Sequence, residues 1–469
     1  MALCRLVVAA TIVAVCCLTG SAQSPFTFRV VATGLSSPWE VTWGPDGQLW
    51  VSERTARRVV RIDPATGAIK PAVTIAESYD PGMAWHEGLL GLALHPDLLK
   101  GAGSDYVYVT YTYDADPGPD MARRLKIRRF TYDATSQSLT APVDVMANLP
   151  AGTDHAGGRL VIGPDRKLYL TRGDLGANWL DNYCVPNGAQ LLPTAEQVAR
   201  RDWSTYVGKI LRINLDGTIP ADNPPLNGVR SHVYSYGHRN PQGLQFGPKG
   251  QLYSSEHGPD TDDELNLIEA GGNYGWPYIA GYRDDRGYVY VDWSHPTGAA
   301  CSSLKFDQFN PPPSVPRVRE SDWKGTFTPP MRSFFTVPEG HDIKTSGGRT
   351  IAAGGLEVYT SPAIPGWANS ILLPGLTMGR VYRIKLSADG RTATGENEEL
   401  FRAANRYRDL TVSPDGRTIY LATDSAGFGR TVDPTGASVN TFANPGAIVA
   451  FSYNAPTRST SERSGDRPR

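Results

Sequence analysis

One nine-residue phrase recurs along the chain and limits its architecture more than any other feature. It reads Gly44-Pro45-Asp46-Gly47-Gln48-Leu49-Trp50-Val51-Ser52 and returns as Gly163-Pro164-Asp165-Arg166-Lys167-Leu168-Tyr169-Leu170-Thr171. A third copy spans Gly247 to Ser255 and a fourth spans Ser413 to Leu421, with weaker variants at His95-Pro96-Asp97 and Ser361-Pro362. Each is a Pro-Asp-Gly type turn running into a β-rich alternation. Six turn-plus-strand units indicate radial or solenoid repetition. Their starts lie 51 to 114 residues apart. The short intervals suit a four-stranded blade, and the long ones require inserted loops. Sheet edges need cover, and a closed ring supplies it. The expectation is an all-β, six-bladed β-propeller over residues 23–454, with long inserted loops on one face. An array of β-sandwiches is the alternative. The 49 Gly and 37 Pro favour turns over helices, and Ala195 to Arg200 is the one short helix expected. The Pro- and aromatic-rich stretch from Gly281 to Gly347 reads as a long functional loop.

The 46 Lys+Arg and 47 Asp+Glu nearly cancel, so the chain lacks the basic excess of a nucleic-acid binder. Residues 1–22 read as a secretory signal: Arg5, then an apolar run from Leu6 to Leu18, then small residues at Gly20-Ser21-Ala22. A membrane anchor would need a longer run, about 20 residues. Lipidation at Cys16 or Cys17 is a second alternative, though Val13-Ala14-Val15 fits that signal poorly. No later segment is apolar enough to span a membrane. The expected location is exported, periplasmic or secreted. Cys184 and Cys301 then remain in a disulfide-permissive compartment, and sequence leaves their pairing open. Residues 455–469 read as a disordered polar tail.

There is no dinucleotide fingerprint, no Walker-type phosphate loop and no Gly-x-Ser-x-Gly elbow. Four phrases carry chemistry instead. Asp154-His155-Ala156-Gly157-Gly158 sets a proton-accepting side chain among small residues, and Gly173-Asp174 follows on the same unit and offers an orienting carboxylate. Unrelated turn residues are the bland reading. Arg239-Asn240 in Gly237-His238-Arg239-Asn240-Pro241 offers planar donors to carboxylate or carbonyl oxygens. A surface turn would look the same. Glu256-His257-Gly258-Pro259-Asp260-Thr261-Asp262-Asp263-Glu264 suggests a Ca²⁺ site of carboxylate and backbone oxygens, against an acidic solvated turn. Arg406 and Arg408 in Asn405-Arg406-Tyr407-Arg408-Asp409 point the same way on a strand, and a bound anion would relieve their repulsion.

With these phrases on one chain, the sequence resembles the soluble quinoprotein glucose dehydrogenases, the pyrroloquinoline quinone (PQQ)-dependent sugar dehydrogenase family. Gly208-Lys209-Ile210-Leu211-Arg212-Ile213-Asn214-Leu215-Asp216-Gly217 and Gly271-Gly272-Asn273-Tyr274-Gly275-Trp276-Pro277 extend the resemblance. It implies a six-bladed propeller that oxidises the C1 hydroxyl of an aldose to the lactone by hydride transfer to Ca²⁺-bound PQQ, with electrons passing to an unidentified acceptor. It implies that His155 is the general base, oriented by Asp174, and that His86, Asp154 and Arg239 meet the substrate. Arg239, Asn240, Thr350, Thr377, Arg406, Arg408 and Asp424 match cofactor positions. Gly258 and Pro259 match the carbonyls that bind the cofactor's Ca²⁺. Glu264, Tyr274, Ala280, Tyr282, Asp284 and Glu320 match a second Ca²⁺ site that accompanies homodimers. Three departures stand out. Thr377 replaces a Lys, His86 and His257 replace Gln, and the loop Ser346-Gly347-Gly348-Arg349-Thr350 lacks the Tyr and Trp that stack on sugar in glucose-oxidising members. Arg349 is the candidate substitute for the missing charge. A non-catalytic sugar- or protein-binding propeller is the competing reading, and a lactonase-like hydrolase the third.

Overall fold

The computed structural model describes residues 24–80, 86–116, 118–346, 349–427, 431–432, 438–439 and 441–455. The expected signal at 1–22 lies outside them, as does all of the 455–469 tail except Ala455. Six four-stranded antiparallel sheets form a ring of blades. The innermost strands are Pro38–Trp43, Leu89–Leu94, Leu160–Ile162, Pro241–Phe246, Glu357–Tyr359 and Tyr407–Val412.

All six recurrences of the phrase fall in the same place, the hairpin from the first to the second strand of successive blades. In the first copy Gly47 adopts φ 73°, and Asp46 Oδ1 accepts the Gln48 N–H at 3.2 Å and the Trp50 Nε1–H at 3.1 Å. The turn therefore fixes both the hairpin and the first large core side chain of the next strand. Six hydrophobic clusters lie one between each pair of neighbouring blades, so the core is a set of radial interfaces. The ring closes where Phe26–Ala32 pairs antiparallel with Ile448–Tyr453 as the outer strand of the sixth blade. A β-sandwich array does not fit this arrangement.

The expected helix is present as Ala195–Arg200, with a capping box between Thr194 and Gln197. It lies in an insertion, 173–208, between the second and third strands of blade three. A second insertion, 269–331, interrupts blade four, and a third segment, 335–356, leads into blade five. A disulfide joins Cys184 of the first insertion to Cys301 of the second, with 5.6 Å between their Cα atoms. Lys209, fully buried, donates to the carbonyls of Gly188, Ala189 and Val207 and pins the first insertion to its blade. Burial pushes this amine down to about 7. No helix among the described residues is long and apolar enough to cross a membrane.

Candidate active site

In an antiparallel blade, the start of the first strand and the end of the second lie on the same rim. The candidate residues gather there. His86, Asp154, His155, Arg239, Asn240, Thr350 and Arg406 precede first strands, and Arg408 lies within one. Asp174, Gly258, Pro259, Thr377 and Asp424 follow second strands.

His155 sits at φ 42°, in the left-handed region that non-glycine residues seldom adopt. Its Nδ1 lies 2.7 Å from Asp174 Oδ1. A Cβ at 173 would stand 1.9 Å from the His155 carbonyl oxygen, so only glycine there lets the two loops meet. Asp174 Oδ1 also accepts the Gly176 N–H at 2.9 Å. Its Oδ2 accepts Trp276 Nε1–H at 2.7 Å and Asn187 Nδ2 at 2.9 Å. Donation of Nδ1–H to this carboxylate would leave Nε2, 3.7 Å from Asp154 Oδ2, as the acceptor nitrogen of a neutral ring. That is the tautomer a base requires.

His86, Asp154 and His155 form a tight triangle. The His155 N–H lies 2.8 Å from Asp154 Oδ1 and 3.0 Å from His86 Nδ1, and the two imidazoles stack at 6.2 Å. Burial pushes His86 below the usual histidine range, and its contact with Asp154 offsets only part of that. Burial would raise the Asp154 carboxyl, but His155 and His86 outweigh it and hold it low. His257 is driven well below the usual range by burial and by the positive groups around it, and its Nε2 lies 2.8 Å from the Ala353 carbonyl oxygen.

Across the rim, Arg408 grips Asp424 with two hydrogen bonds, Nε to Oδ1 at 3.0 Å and Nη2 to Oδ2 at 2.7 Å. Arg406 Nε reaches the same Oδ2 at 3.3 Å. The expected relief of Arg–Arg repulsion is therefore supplied in part from within the chain. Burial would raise the Asp424 carboxyl, but Arg408 and Arg406 prevail and keep it below the usual range. The Arg408 guanidinium lies 4.6 Å from the Trp39 ring, and that of Arg239 lies 5.3 Å from the Trp276 ring. Asn240 is fully buried, and its Nδ2 has no hydrogen-bond partner among the described residues. An orphaned buried donor on the same rim as the guanidinium groups of Arg239, Arg406 and Arg408 suits a polycarboxylate ligand with carbonyl oxygens.

Within the acidic phrase of blade four, the carboxylates turn to local donors instead of a common point. Glu256 receives the backbone N–H groups of Arg239 and Asn240. Asp263 receives those of Gly258 at 2.9 Å and Ile351 at 2.6 Å, and burial pushes its carboxyl up to about 6. Among the described residues, no group of three or more His, Cys, Asp or Glu is arranged to hold a metal ion. The hard-cation donors this phrase offers are backbone oxygens, those of Gly258 and Pro259 included. Thr350 donates to Asp263 Oδ2, and Thr377 donates to the Thr350 carbonyl oxygen, both at 2.6 Å. The Thr377 hydroxyl thus faces a protein oxygen. Arg349 is exposed, with its N–H on the Asp260 carbonyl oxygen.

The residues matched to a second cation site come together around the second insertion. Glu264 accepts from Gly281 N–H at 2.7 Å, and Glu320 accepts from the N–H groups of Ala280, Asp284 and Asp285. Burial raises the Glu320 carboxyl to about 7. Tyr274 is buried and Tyr282 is exposed.

A cavity of about 460 Å³ opens beside His155, Asp174, Arg239 and Pro259 and is walled by all three inserted segments, including much of the stretch expected as a functional loop. Several residues of the site escaped the motif reading. Trp276 and Asn187 anchor Asp174. Gln242 donates to Asn240 Oδ1 at 2.7 Å and accepts from Arg408 at 3.3 Å, which couples two blades. Arg54, buried just after the second strand of blade one, feels both Asp424 and Arg408. Its place at the end of the first repeat phrase was the available signal.

Comparison with known proteins agrees with this geometry. The family model described as Glucose / Sorbosone dehydrogenase matches residues 35–324 and 331–430. The chain is 41% identical over 443 residues to quinoprotein glucose dehydrogenase B of Acinetobacter calcoaceticus, covering 92% of this chain and 91% of that protein. It is 25% identical over 416 residues to the aldose sugar dehydrogenase YliI of Escherichia coli, covering 87% and 92%. A solved structure of the PQQ-bound aldose sugar dehydrogenase of Streptomyces coelicolor superposes with a TM-score of 0.61 at 27% identity, covering 91% and 98%. On the fold, the rim and these matches together, the chain belongs to the glucose/sorbosone dehydrogenase family.

Proposed function

We propose that this protein is an exported, PQQ- and Ca²⁺-dependent dehydrogenase that oxidises the C1 hydroxyl of an aldose to the lactone. The observation that carries the reading is the His155–Asp174 pair, which lines a cavity together with Arg239 and Pro259, on the same propeller rim as Asn240, Arg406 and Arg408. A bound PQQ would supply a hydride acceptor for C1, and Ca²⁺ would supply Lewis-acid polarisation. Arg406, Arg408 and Arg239 would hold the cofactor carboxylates, Asn240 Nδ2 would donate to one of its oxygens, and the carbonyls of Gly258 and Pro259 would hold the cation. Thr350, Thr377 and Asp424 complete this wall.

His155 Nε2 takes the C1 hydroxyl proton. Asp174 holds the ring in the required tautomer and steadies the imidazolium that forms. Asp154 and His86 flank the base and orient the sugar. The insertions exclude water from the reacting atoms. Export rests on the leader-like first 22 residues. A homodimer with structural Ca²⁺ at Glu264, Tyr274, Ala280, Tyr282, Asp284 and Glu320 accompanies the reading, and the electron acceptor is an unidentified partner.

The test is reconstitution of cofactor-free protein with PQQ and Ca²⁺, following the quinone absorbance while an aldose panel is supplied with an artificial acceptor. Stoichiometric binding and reduction by one sugar, abolished in His155→Ala, is the expected result. Binding without turnover by any aldose would remove the substrate assignment. Absence of PQQ binding by folded protein would favour the non-catalytic binding propeller.

A further inference from the structure

Among the described residues, two aromatic side chains of the cavity beside His155 are neither buried nor tied by a hydrogen bond, one from each disulfide-linked insertion. Trp179 belongs to the first insertion and is half-buried. Phe309 belongs to the second and is 45% exposed. Of the cavity's other two indoles, Trp293 is buried, and Trp276 is already committed, with its Nε1–H on Asp174 and its face towards Arg239. An exposed phenyl ring lining a cavity offers an apolar face that a ligand can cover.

The scaffold behind the two rings is rigid and is shared between the insertions. Trp179 packs edge-on to Phe306 at 5.6 Å, and Tyr183 meets Trp293 at 6.0 Å and Phe306 at 5.7 Å. Asn178 Nδ2 donates to the Val291 carbonyl oxygen at 2.6 Å, and the Cys184–Cys301 bond closes the same seam. Gln308, beside Phe309, donates to Asp260 Oδ2 at 3.3 Å and joins this wall to the rim of blade four. The distance between the rings is therefore set by cross-links between two segments far apart in sequence.

We infer that Trp179 and Phe309 form the apolar contact surface for the sugar ring, and that the Cys184–Cys301 link fixes the spacing that makes this surface specific. The inference rests on the aldose reading above. The ligand class is a pyranose, whose C–H face covers an aromatic ring while its hydroxyls meet Asp154, His86 and Arg239. These two residues determine substrate affinity and take no part in the proton transfer.

The experiment uses the full chain reconstituted with PQQ and Ca²⁺. Trp179→Ala and Phe309→Ala should each raise KM for the best aldose roughly three- to tenfold, the range for loss of an aromatic contact. The expected kcat stays within about twofold, since a contact equal in ground and transition states does not alter it. PQQ affinity, read by absorbance titration, should not change. Cys184→Ser/Cys301→Ser should raise KM in the same direction, with a thermal melt showing an intact fold. Unchanged KM in both aromatic variants, or a fall in kcat without a KM change, overturns the inference. If the wild type turns over no aldose, the dehydrogenase reading fails, and calorimetric titration with the same sugars becomes the test. Sugar binding that is lost in Trp179→Ala and Phe309→Ala then supports the inference, and absence of sugar binding by the wild type overturns it.

Discussion

Asp174→Asn is the most informative single change, because it keeps the shape of the side chain while altering what it can accept. In the native site four donors converge on the two oxygens, His155 and Gly176 on Oδ1, Trp276 and Asn187 on Oδ2. An amide offers one oxygen and one NH₂, so one pair of donors must face another donor. If the NH₂ faces His155, Nδ1 has to accept, the ring proton moves to Nε2, and the base is lost. If it faces Trp276 and Asn187, the tautomer survives but the anchoring of the carboxamide does not. Positioned general bases contribute about 10²–10⁴-fold. The variant should lose a comparable factor in kcat near neutral pH, equivalent to roughly 3–5 kcal/mol of transition-state stabilisation. The assay is reduction of the PQQ-loaded enzyme by aldose, followed through the quinone absorbance, beside a PQQ titration that should be unaffected. A kcat within threefold of wild type, while His155→Ala loses more than a hundredfold, would refute the argument that Asp174 sets the tautomer.

Asn240→Leu should weaken PQQ binding about tenfold, the worth of one hydrogen bond to a buried donor, in an absorbance titration at fixed Ca²⁺. Asp424→Asn breaks a buried ion pair and should cost the cofactor-free protein about 3–5 kcal/mol in denaturant unfolding. The sign of the pH effect is fixed by the depressed carboxyl: its stabilisation is present above the unfolded value of about 3.9 and is lost as pH falls through the folded one. The acid limb of the stability curve should therefore be shallower in Asp424→Asn than in wild type. Lys209→Met leaves the Val207 carbonyl without its donor, while those of Gly188 and Ala189 keep the N–H groups of Leu191 and Gly237. At about 1–3 kcal/mol for an unsatisfied buried group, it should lower the melting temperature and speed hydrogen exchange in the 173–208 insertion.

The blades were legible because each announces itself locally. A Pro-Asp-Gly turn and the alternation after it lie within nine residues, and all six copies proved to be the same hairpin. Helix Ala195–Arg200 was visible for the same reason, since its cap and its first turn are contiguous. His155 and Asp174 were readable as a pair because one blade carries both. Trp276 was not, because it reaches Asp174 across 102 residues of chain. The Cys184–Cys301 link spans 117 residues and depends on where two insertions fold back. The carboxylates of 256–264 suggested a cation cluster by composition, but the backbone N–H groups that occupy them come partly from 239–240 and 351–352, which no local window contains.

The pairing of Phe26–Ala32 with Ile448–Tyr453 makes the two ends of the chain into a clasp. Blade six cannot be completed until its last strand has been made, although its outermost strand is among the first residues produced. A hydrogen bond across this seam joins residues 425 positions apart, a separation that puts closure among the slowest contacts to form. Arg406, Arg408 and Asp424 all belong to this late blade. The Arg406, Arg408 and Asp424 side of the rim is therefore the part assembled last. Shortening the chain at Phe26, on the far edge from the chemistry, should loosen the clasp and with it the grip on the cofactor.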